Sequence, residues 1–258
     1  MLTTNHGDKL NVLITRPTKK SQALAESLAT VNIACVQQPL FDYQPLADYQ
    51  TSEKLLVNSD IIIFVSVAAV EFSQLIFASQ NWRYQHIIAV GKATKTALQL
   101  SGINPVICPK QENSEGLLAL GELSKDLNHK SVTIVRGDGG REHLAQQLIT
   151  AGATVNYLES YQRIWRTFAK DISKQWLKQQ INCIVVTSNA LLEKLVALTI
   201  NNHEQHSVDY WQNECTWLVA SQRIGDKATQ LGLTKVVISD GASAQTITAK
   251  LRQIETNQ

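Results

Sequence analysis

Nowhere in these 258 residues does an apolar run approach the roughly 18–20 residues that a membrane-spanning helix needs, so no bilayer span is expected. The opening stretch MLTTNHGDKL is polar and has no apolar core, so no secretory signal is expected either. An excess of one charge is missing too. Lysine and arginine total 24 against 22 aspartates and glutamates, and a net charge of +2 is too small to draw nucleic acid through a general field. An anionic partner must therefore be met by local placement of charge. The four cysteines, Cys35, Cys108, Cys183 and Cys215, show no C-x-x-C spacing and no ligand pattern beside them. They lie in or next to apolar strand-like runs and read as buried thiols, not as metal or redox groups. Such thiols suit a reducing cytoplasm.

Zinc and nucleotide signatures are also missing. In NHEQHSVDYW, His203 and His206 stand three apart, one short of the H-E-x-x-H spacing, so no metal site is expected. The five tryptophans have no basic residues interleaved with them, which argues for packing and against base stacking. The stretch VRGDGGREHL reads as a strand end, a glycine-rich turn and a helix start. Counted from Gly137, the sixth position of the dinucleotide fingerprint is Glu142, and no Lys-Ser or Lys-Thr follows the glycines as a P-loop requires. What is left is a helix N-terminus with the backbone N–H of Gly139 and its neighbours, flanked by Arg136 and Arg141, a setting suited to an anion.

What the chain does contain is alternation. Runs rich in valine and isoleucine (NVLITRP, DIIIFVS, HIIAVG and PVICP, then SVTIVRG, TVNYLESY, CIVVTS, TWLVAS and KVVIS) are separated by helix-like segments. Continuous apolar strands between helices imply parallel sheets covered on both faces, an α/β architecture. With 44% apolar and 18% charged residues, 258 residues can bury one large core or two ordinary ones. The pattern also repeats. LITRPTKKSQALAESLAT resembles IVRGDGGREHLAQQLITAG, matching Arg16 to Arg136, and IIIFVSVAAVEFSQLI resembles CIVVTSNALLEKLVAL, matching Ser66 to Ser188. Likewise IIAVGKATKTALQLSG resembles TWLVASQRIGDKATQLG, matching Gly91 to Ser221, and SEGLLALGEL resembles SAQTITAKL, matching Ser114 to Ser243. Four matches in order indicate a duplicated α/β unit.

In each unit a small polar residue or glycine follows the strand and opens the helix: Thr18, Ser66, Gly91, Ser114, Gly140, Ser188, Ser221 and Ser243. At the least these are N-caps, each worth about 1 kcal/mol of helix stability. Ligands of open parallel sheets bind beyond the carboxyl ends of the strands. Two such domains facing one another would line a cleft with oriented N–H groups, each favouring an anion by about 0.3–1 kcal/mol. Several together suit a ligand bearing several carboxylates.

The segments LITRP, FVSVAAV, AVGKAT, SEGLLAL, VRGDGGREHL, ESYQR, VVTSNAL and SAQTITAKL, in this order and over almost the full length, resemble the uroporphyrinogen-III synthase family. The resemblance implies two similar flavodoxin-like α/β domains joined by a two-stranded linker that the chain crosses twice. The first domain would comprise residues 1–39 with 167–258 and the second residues 40–166, with the linker ribbon near 39–46 and 161–168 acting as a hinge. It implies a hydroxymethylbilane substrate, a linear tetrapyrrole with eight carboxylates, closed to uroporphyrinogen III with the fourth ring inverted and water lost. No metal or organic cofactor is implied.

By the same resemblance Tyr161 of ESYQR is the candidate proton donor, against the simpler role of packing the ribbon. Thr94 in VGKAT matches the family's G-x-x-T threonine, with Lys92 beside it. The second half departs from that pattern: in SQRIG, Ser221 replaces the glycine and Ile224 the threonine, and Arg223 is the nearby cation. Candidate substrate contacts are therefore Arg16, Ser66, Lys92, Thr94, Ser114, Arg136, Gly139, Arg141, Ser188, Asn189, Ser221 and Arg223. The expected protein is a cytoplasmic monomer with no nucleic-acid or membrane partner. The rivals are a paired-domain glycosyl- or nucleotidyl-transferase, disfavoured by the failed nucleotide fingerprints, and a non-catalytic bilobed module that closes on an anion.

Overall fold

The structure is a computed structural model and describes residues 9–124, 126–139, 142–200 and 205–256. The chain opens with β1 (Asn11–Ile14), α1 (Thr18–Ala29), β2 (Ala34–Gln37) and β3 (Phe41–Pro45). Then come α2 (Tyr49–Val57), β4 (Ile61–Phe64), α3 (Val67–Ile76), β5 (His86–Ala89), α4 (Lys92–Leu100) and α5 (Ser114–Leu118). The glycine turn joins β6 (Ser131–Gly137) to α6 (His143–Thr150), and β7 (Thr154–Trp165) follows. The remainder is α7 (Ile172–Lys178), β8 (Cys183–Val186), α8 (Asn189–Thr199), α9 (Gln205–Asp209), β9 (Thr216–Val219), α10 (Gln222–Gln230), β10 (Val236–Ile238) and α11 (Ala244–Thr256).

Two compact units result: one takes the chain up to Asp42 and again from Trp165, the other takes Tyr43–Ile164. The first sheet has the order β10-β9-β8-β1-β2 and every neighbouring pair is parallel. The second has the order β3-β7-β6-β4-β5, parallel throughout except at β3. There, Leu46 N donates to Ser160 O at 3.2 Å and Arg166 N to Leu40 O at 2.9 Å, so β3 runs antiparallel to β7. Read from the return strand inward, both sheets have one plan. β2 and β1 sit beside β8, β9 and β10; β7 and β6 sit beside β4 and β5, with Ile107 bridging to Ile88 as the next position. Each sheet thus combines a strand-helix-strand from one repeat with the remaining strands of the other.

The strand sequences explain the layering. IIIF, CIVV and TWLV are buried at every position, as central parallel strands covered on both faces must be. In the second sheet Ile62, Phe64, Ile87, Ala89, Val135 and Leu158 pack on one face. Ile61, Ile63, Ile88, Val132 and Ile134 pack on the other. Each large aliphatic or aromatic side chain so buried contributes about 1.5–3 kcal/mol.

Asp60 pins the amino edge of that sheet. Its N–H donates to Ser131 O, its Oδ2 accepts from Ser131 N at 2.9 Å, and its Oδ1 accepts from Gln85 Nε2 at 2.8 Å and Lys130 Nζ at 3.3 Å. The Ser131 N–H above all, and then Lys130, hold the Asp60 carboxyl below its ordinary pKa despite partial desolvation. A depressed carboxylate adds stability above its unfolded pKa, and that stability is lost as pH falls through the folded value. Asp60→Ala is therefore expected to lose about 1–2 kcal/mol in urea unfolding at pH 7. The gap to the parent should close in acid; a gap unchanged below the carboxylate range would show that charge is not its source.

Candidate functional site

In a parallel sheet every strand ends on the same edge, so the helices that follow all begin there. In the first unit the chain leaves β1 toward β2 on one side and β8 toward β9 on the other, which places the switch point between β1 and β8. In the second unit the switch point lies between β6 and β4.

At the first switch point Thr15 Oγ1 donates to Val185 O at 3.3 Å, tying the end of β1 to β8. Arg16 follows, only 8% exposed, with its carbonyl accepting the Ser21 hydroxyl at 2.7 Å. Ser188 is the N-cap of α8: its Oγ accepts Leu191 N at 3.2 Å. Asn189 opens that helix, and its Oδ1 is buried without a hydrogen-bond partner. Ser221 is the N-cap of α10 but makes no side-chain cap bond; Arg223, two residues on, is exposed. Ile224 and its repeat counterpart Thr94 are each 3% exposed. That first-turn position faces the core, which accounts for its tolerance of isoleucine.

At the second switch point Ser66 is the N-cap of α3, its Oγ accepting Ala69 N at 3.0 Å. Gly91 is the N-cap of α4, and Lys92 is exposed. The Lys92 N–H donates to Glu112 Oε1 at 3.2 Å, so an internal carboxylate already sits on this helix end. Ser114 is the first residue of α5, not its cap: Asn113 holds that place, with Oδ1 accepting Gly116 N at 2.8 Å. Thr18 likewise stands inside α1, whose N-cap is Pro17. Arg141 and Gly140 lie outside the described residues, and α6 starts at His143.

The glycine turn also has its anion within the chain. Gly139, at φ +74°, donates its N–H to Glu159 Oε1 at 3.2 Å. Arg136, with its side chain 12% exposed, pairs with Glu142 at 2.9 Å and Glu159 at 3.1 Å and lies 3.6 Å from the centre of the Tyr157 ring. Burial opposes the Arg136 charge, but the Glu142 and Glu159 hydrogen bonds outweigh it and raise the pKa. The Tyr157 hydroxyl donates to Glu142 and, with Arg136, lowers the Glu142 pKa; desolvation and that same bond raise the pKa of Tyr157. Glu112, Asn113, Glu142, Tyr157 and Glu159 are absent from the sequence-derived set. The alternation in TVNYLESY, which puts Tyr157 and Glu159 on one strand face, is the signal that points to two of them.

Tyr161 reaches the other face through a bulge. Arg136 pairs with Glu159 but Gly137 pairs with Tyr161, so Ser160 is an extra residue in β7. Strict alternation would keep Tyr161 beside Tyr157 and Glu159; instead it packs with Leu158 and the Phe64 face. The buried Ser160 hydroxyl lies 3.3 Å from the Arg136 carbonyl that the bulge displaces. The Tyr161 ring then meets Tyr43 edge-on, with centroids 4.8 Å apart, and Phe72 at 5.6 Å, and its hydroxyl lies 3.2 Å from Ser66 Oγ.

Of the cysteines, Cys183 and Cys215 are buried, whereas Cys35 and Cys108 are only half-buried, so the expectation of four buried thiols is met by two. Cys35 stands on the edge strand β2, and Cys108 follows the Ile107 bridge, so neither is covered by a further strand. His203 and the His206 side chain lie outside the described residues. Among the described residues no group of three or more His, Cys, Asp or Glu is placed to hold a metal ion, and no helix is long and apolar enough to cross a membrane.

A family model described as uroporphyrinogen-III synthase HemD matches residues 7–249. The uroporphyrinogen-III synthase of Escherichia coli is 31% identical over 244 residues, covering 90% of this chain and 96% of that protein. The Salmonella typhimurium protein of the same name is 32% identical with the same coverage. Among solved structures, a mutant uroporphyrinogen III synthase from Thermus thermophilus is similar with a TM-score of 0.66 at 11% identity, covering 96% of this chain and 100% of that one. The synthetase from Helicobacter pylori gives 0.59 at 13% identity, with 95% and 99% covered. At such identities the structural likeness speaks for the fold.

Burial pushes the Cys183 thiol up to about 12 and raises Cys215 as well. The thiolate is the reactive form. In the folded protein at pH 8 a disulfide reagent is therefore expected to titrate Cys35 and Cys108 alone, with Cys183 and Cys215 reacting only on unfolding. Four fast thiols in the native state would contradict this packing.

Proposed function

The chain belongs to the uroporphyrinogen-III synthase family, and from that premise we propose how its residues carry the reaction. The reaction closes hydroxymethylbilane to uroporphyrinogen III, a step of haem biosynthesis. Water is eliminated with no hydrolysis and no change of oxidation state, which makes the enzyme a lyase. Because the bilane also closes unaided to the uninverted isomer, the protein's task is geometric: it holds a near-attack arrangement that free solution rarely adopts.

The observation that carries this reading is the set of helix N-termini at the carboxyl edge of each parallel sheet: α1, α8, α10 and α11 in the first unit, and α3, α4 and α6 in the second. Oriented N–H groups and nearby cations suit a ligand with eight carboxylates. In this proposal Arg16, Ser188, Asn189, Ser221 and Arg223 take carboxylates in the first unit. The backbone N–H of Ser66, with Lys92, Ser114 and Arg141, does so in the second, and Gly139 does so by exchange with Glu159; Thr94, only 3% exposed and facing the core, takes none. Arg136, already paired with Glu142 and Glu159, takes a substrate carboxylate only by exchange with one of them.

Tyr161 supplies the proton. The pyrrole nitrogen's electron pair pushes out the terminal hydroxyl as the carbon–oxygen bond breaks. The phenolic proton goes to that oxygen, and water leaves. The substituted carbon of the fourth ring attacks the resulting azafulvene to give the spiro intermediate. After rearrangement, the proton lost as the last pyrrole regains aromaticity returns to the phenolate, so the cycle balances.

Supplying hydroxymethylbilane and identifying the oxidised porphyrin tests the reading: type III is expected, and type I alone at the spontaneous rate would overturn it. Tyr161→Phe is expected to lower kcat on the order of 10-fold, modest for a positioned acid because the electron-rich pyrrole does part of the work. Its Tm should stay near the parent's, since only one half-buried hydrogen bond is lost. A fully active variant removes Tyr161 from the mechanism.

A further inference from the structure

Ser66 holds two hydrogen bonds that serve different purposes. Its Oγ accepts the Ala69 N–H at 3.0 Å, which caps α3, and it also lies 3.2 Å from the Tyr161 hydroxyl. A serine oxygen has two lone pairs and one proton, so a cap that uses one lone pair leaves the proton free to be donated. The Tyr161 ring, meanwhile, has little freedom. Tyr43 and Phe72 pack against it, and it lies so close over Gly137 that a Cβ added there would stand 2.7 Å from two ring carbons. Only glycine leaves room for the ring in this place.

The repeat supplies a control within the same molecule. Ser188, the counterpart of Ser66, uses its Oγ to accept the Leu191 N–H and has no tyrosine hydroxyl beside it among the described residues. The strand matching β7 in the first unit is β2, with the sequence ACVQ, and it carries no tyrosine. Capping α8 therefore needs no phenol, and among the described residues the serine–tyrosine pair occurs in the second unit.

We propose that Ser66 is a positioning residue for Tyr161, with Gly137 providing the space for its ring. This rests on the reading of Tyr161 as proton donor. By donating its own proton to the phenol oxygen, Ser66 turns the phenolic proton away from itself and toward the departing hydroxyl. When that proton has moved and the carbon–oxygen bond has broken, the negative charge rests on an oxygen that still accepts the Ser66 hydrogen bond. The N-terminal end of α3, a ten-residue helix, favours that charge further. The proton returns at the end of the cycle, and the Ser66 hydroxyl is unchanged.

A double-mutant cycle on the full chain with hydroxymethylbilane as substrate tests this. Ser66→Ala should lower kcat about fivefold, with KM little changed, and raise the share of type I product. Ser66→Gly, which preserves a helix cap better than alanine does, should show the same kinetic loss with less loss of Tm. Ser66→Thr keeps the hydroxyl and should recover most of the rate. Combined with Tyr161→Phe, Ser66→Ala should add almost nothing, because it acts through the phenol. Parental kcat and isomer ratio in Ser66→Ala, or a full additive loss in the double variant, would overturn the positioning role even where Tyr161→Phe is slow. A fully active Tyr161→Phe would instead overturn the proton-donor reading, and this proposal with it.

Discussion

The parallel pairing of each leading strand with strands from the other repeat is the constraint on which the rest depends. β1 lies between β2 and β8, and β6 lies between β7 and β4, every contact parallel. A parallel neighbour can only be reached through a crossover, so a helix must follow each strand and cover a face of the sheet. The strands must then be apolar on both sides, as IIIF and CIVV are. The same geometry sends every strand into its helix at one edge, so small N-capping residues and unsatisfied N–H groups gather there without any further device. The candidate site comes from the topology first and from particular side chains second.

Charge at that edge is more settled than a net charge of +2 suggests. In the second unit the chain places its own carboxylates where an anion fits: Glu112 on the Lys92 N–H, and Glu159 between Arg136 and the Gly139 N–H. These contacts satisfy donors that would otherwise face water, and they fix the glycine turn. An external carboxylate arriving at either place exchanges with an existing partner, so its binding free energy there is a difference between two similar contacts. A ligand with many carboxylates still gains from meeting many such places at once, and what it gains most is a fixed conformation. That is what a reaction whose unaided course gives the wrong isomer requires.

The bulge in β7 decides on which face of the sheet the proposed proton donor emerges. One inserted residue, Ser160, moves Tyr161 from the polar face of Tyr157 and Glu159 to the face of Leu158 and Phe64. Because side chains alternate with a period of two, a single extra residue exchanges one face for the other completely. The phenol then meets the N-cap of α3 and the open Cα of Gly137. Without the extra residue the ring would fall among the carboxylates around Arg136, and the Ser66 hydroxyl would have only its cap.

The sequence by itself determined the fold class and much of the helix capping. Buried parallel strands must be written as short valine and isoleucine runs, and a residue such as Ser66 or Ser188 directly after one has a local job that needs no knowledge of the rest. It also carried the duplication, since four motifs recur in order. Local reading missed where a neighbour competed, as where Asn113 takes the cap next to Ser114. What only the tertiary structure decided is which groups meet across strands: the carboxylates that hold Arg136, the burial shared by Thr94 and Ile224, and the face on which Tyr161 emerges. Register and bulges are settled by pairing with a strand distant in the chain, and no pattern within ESYQR records that a partner strand will leave Ser160 unpaired.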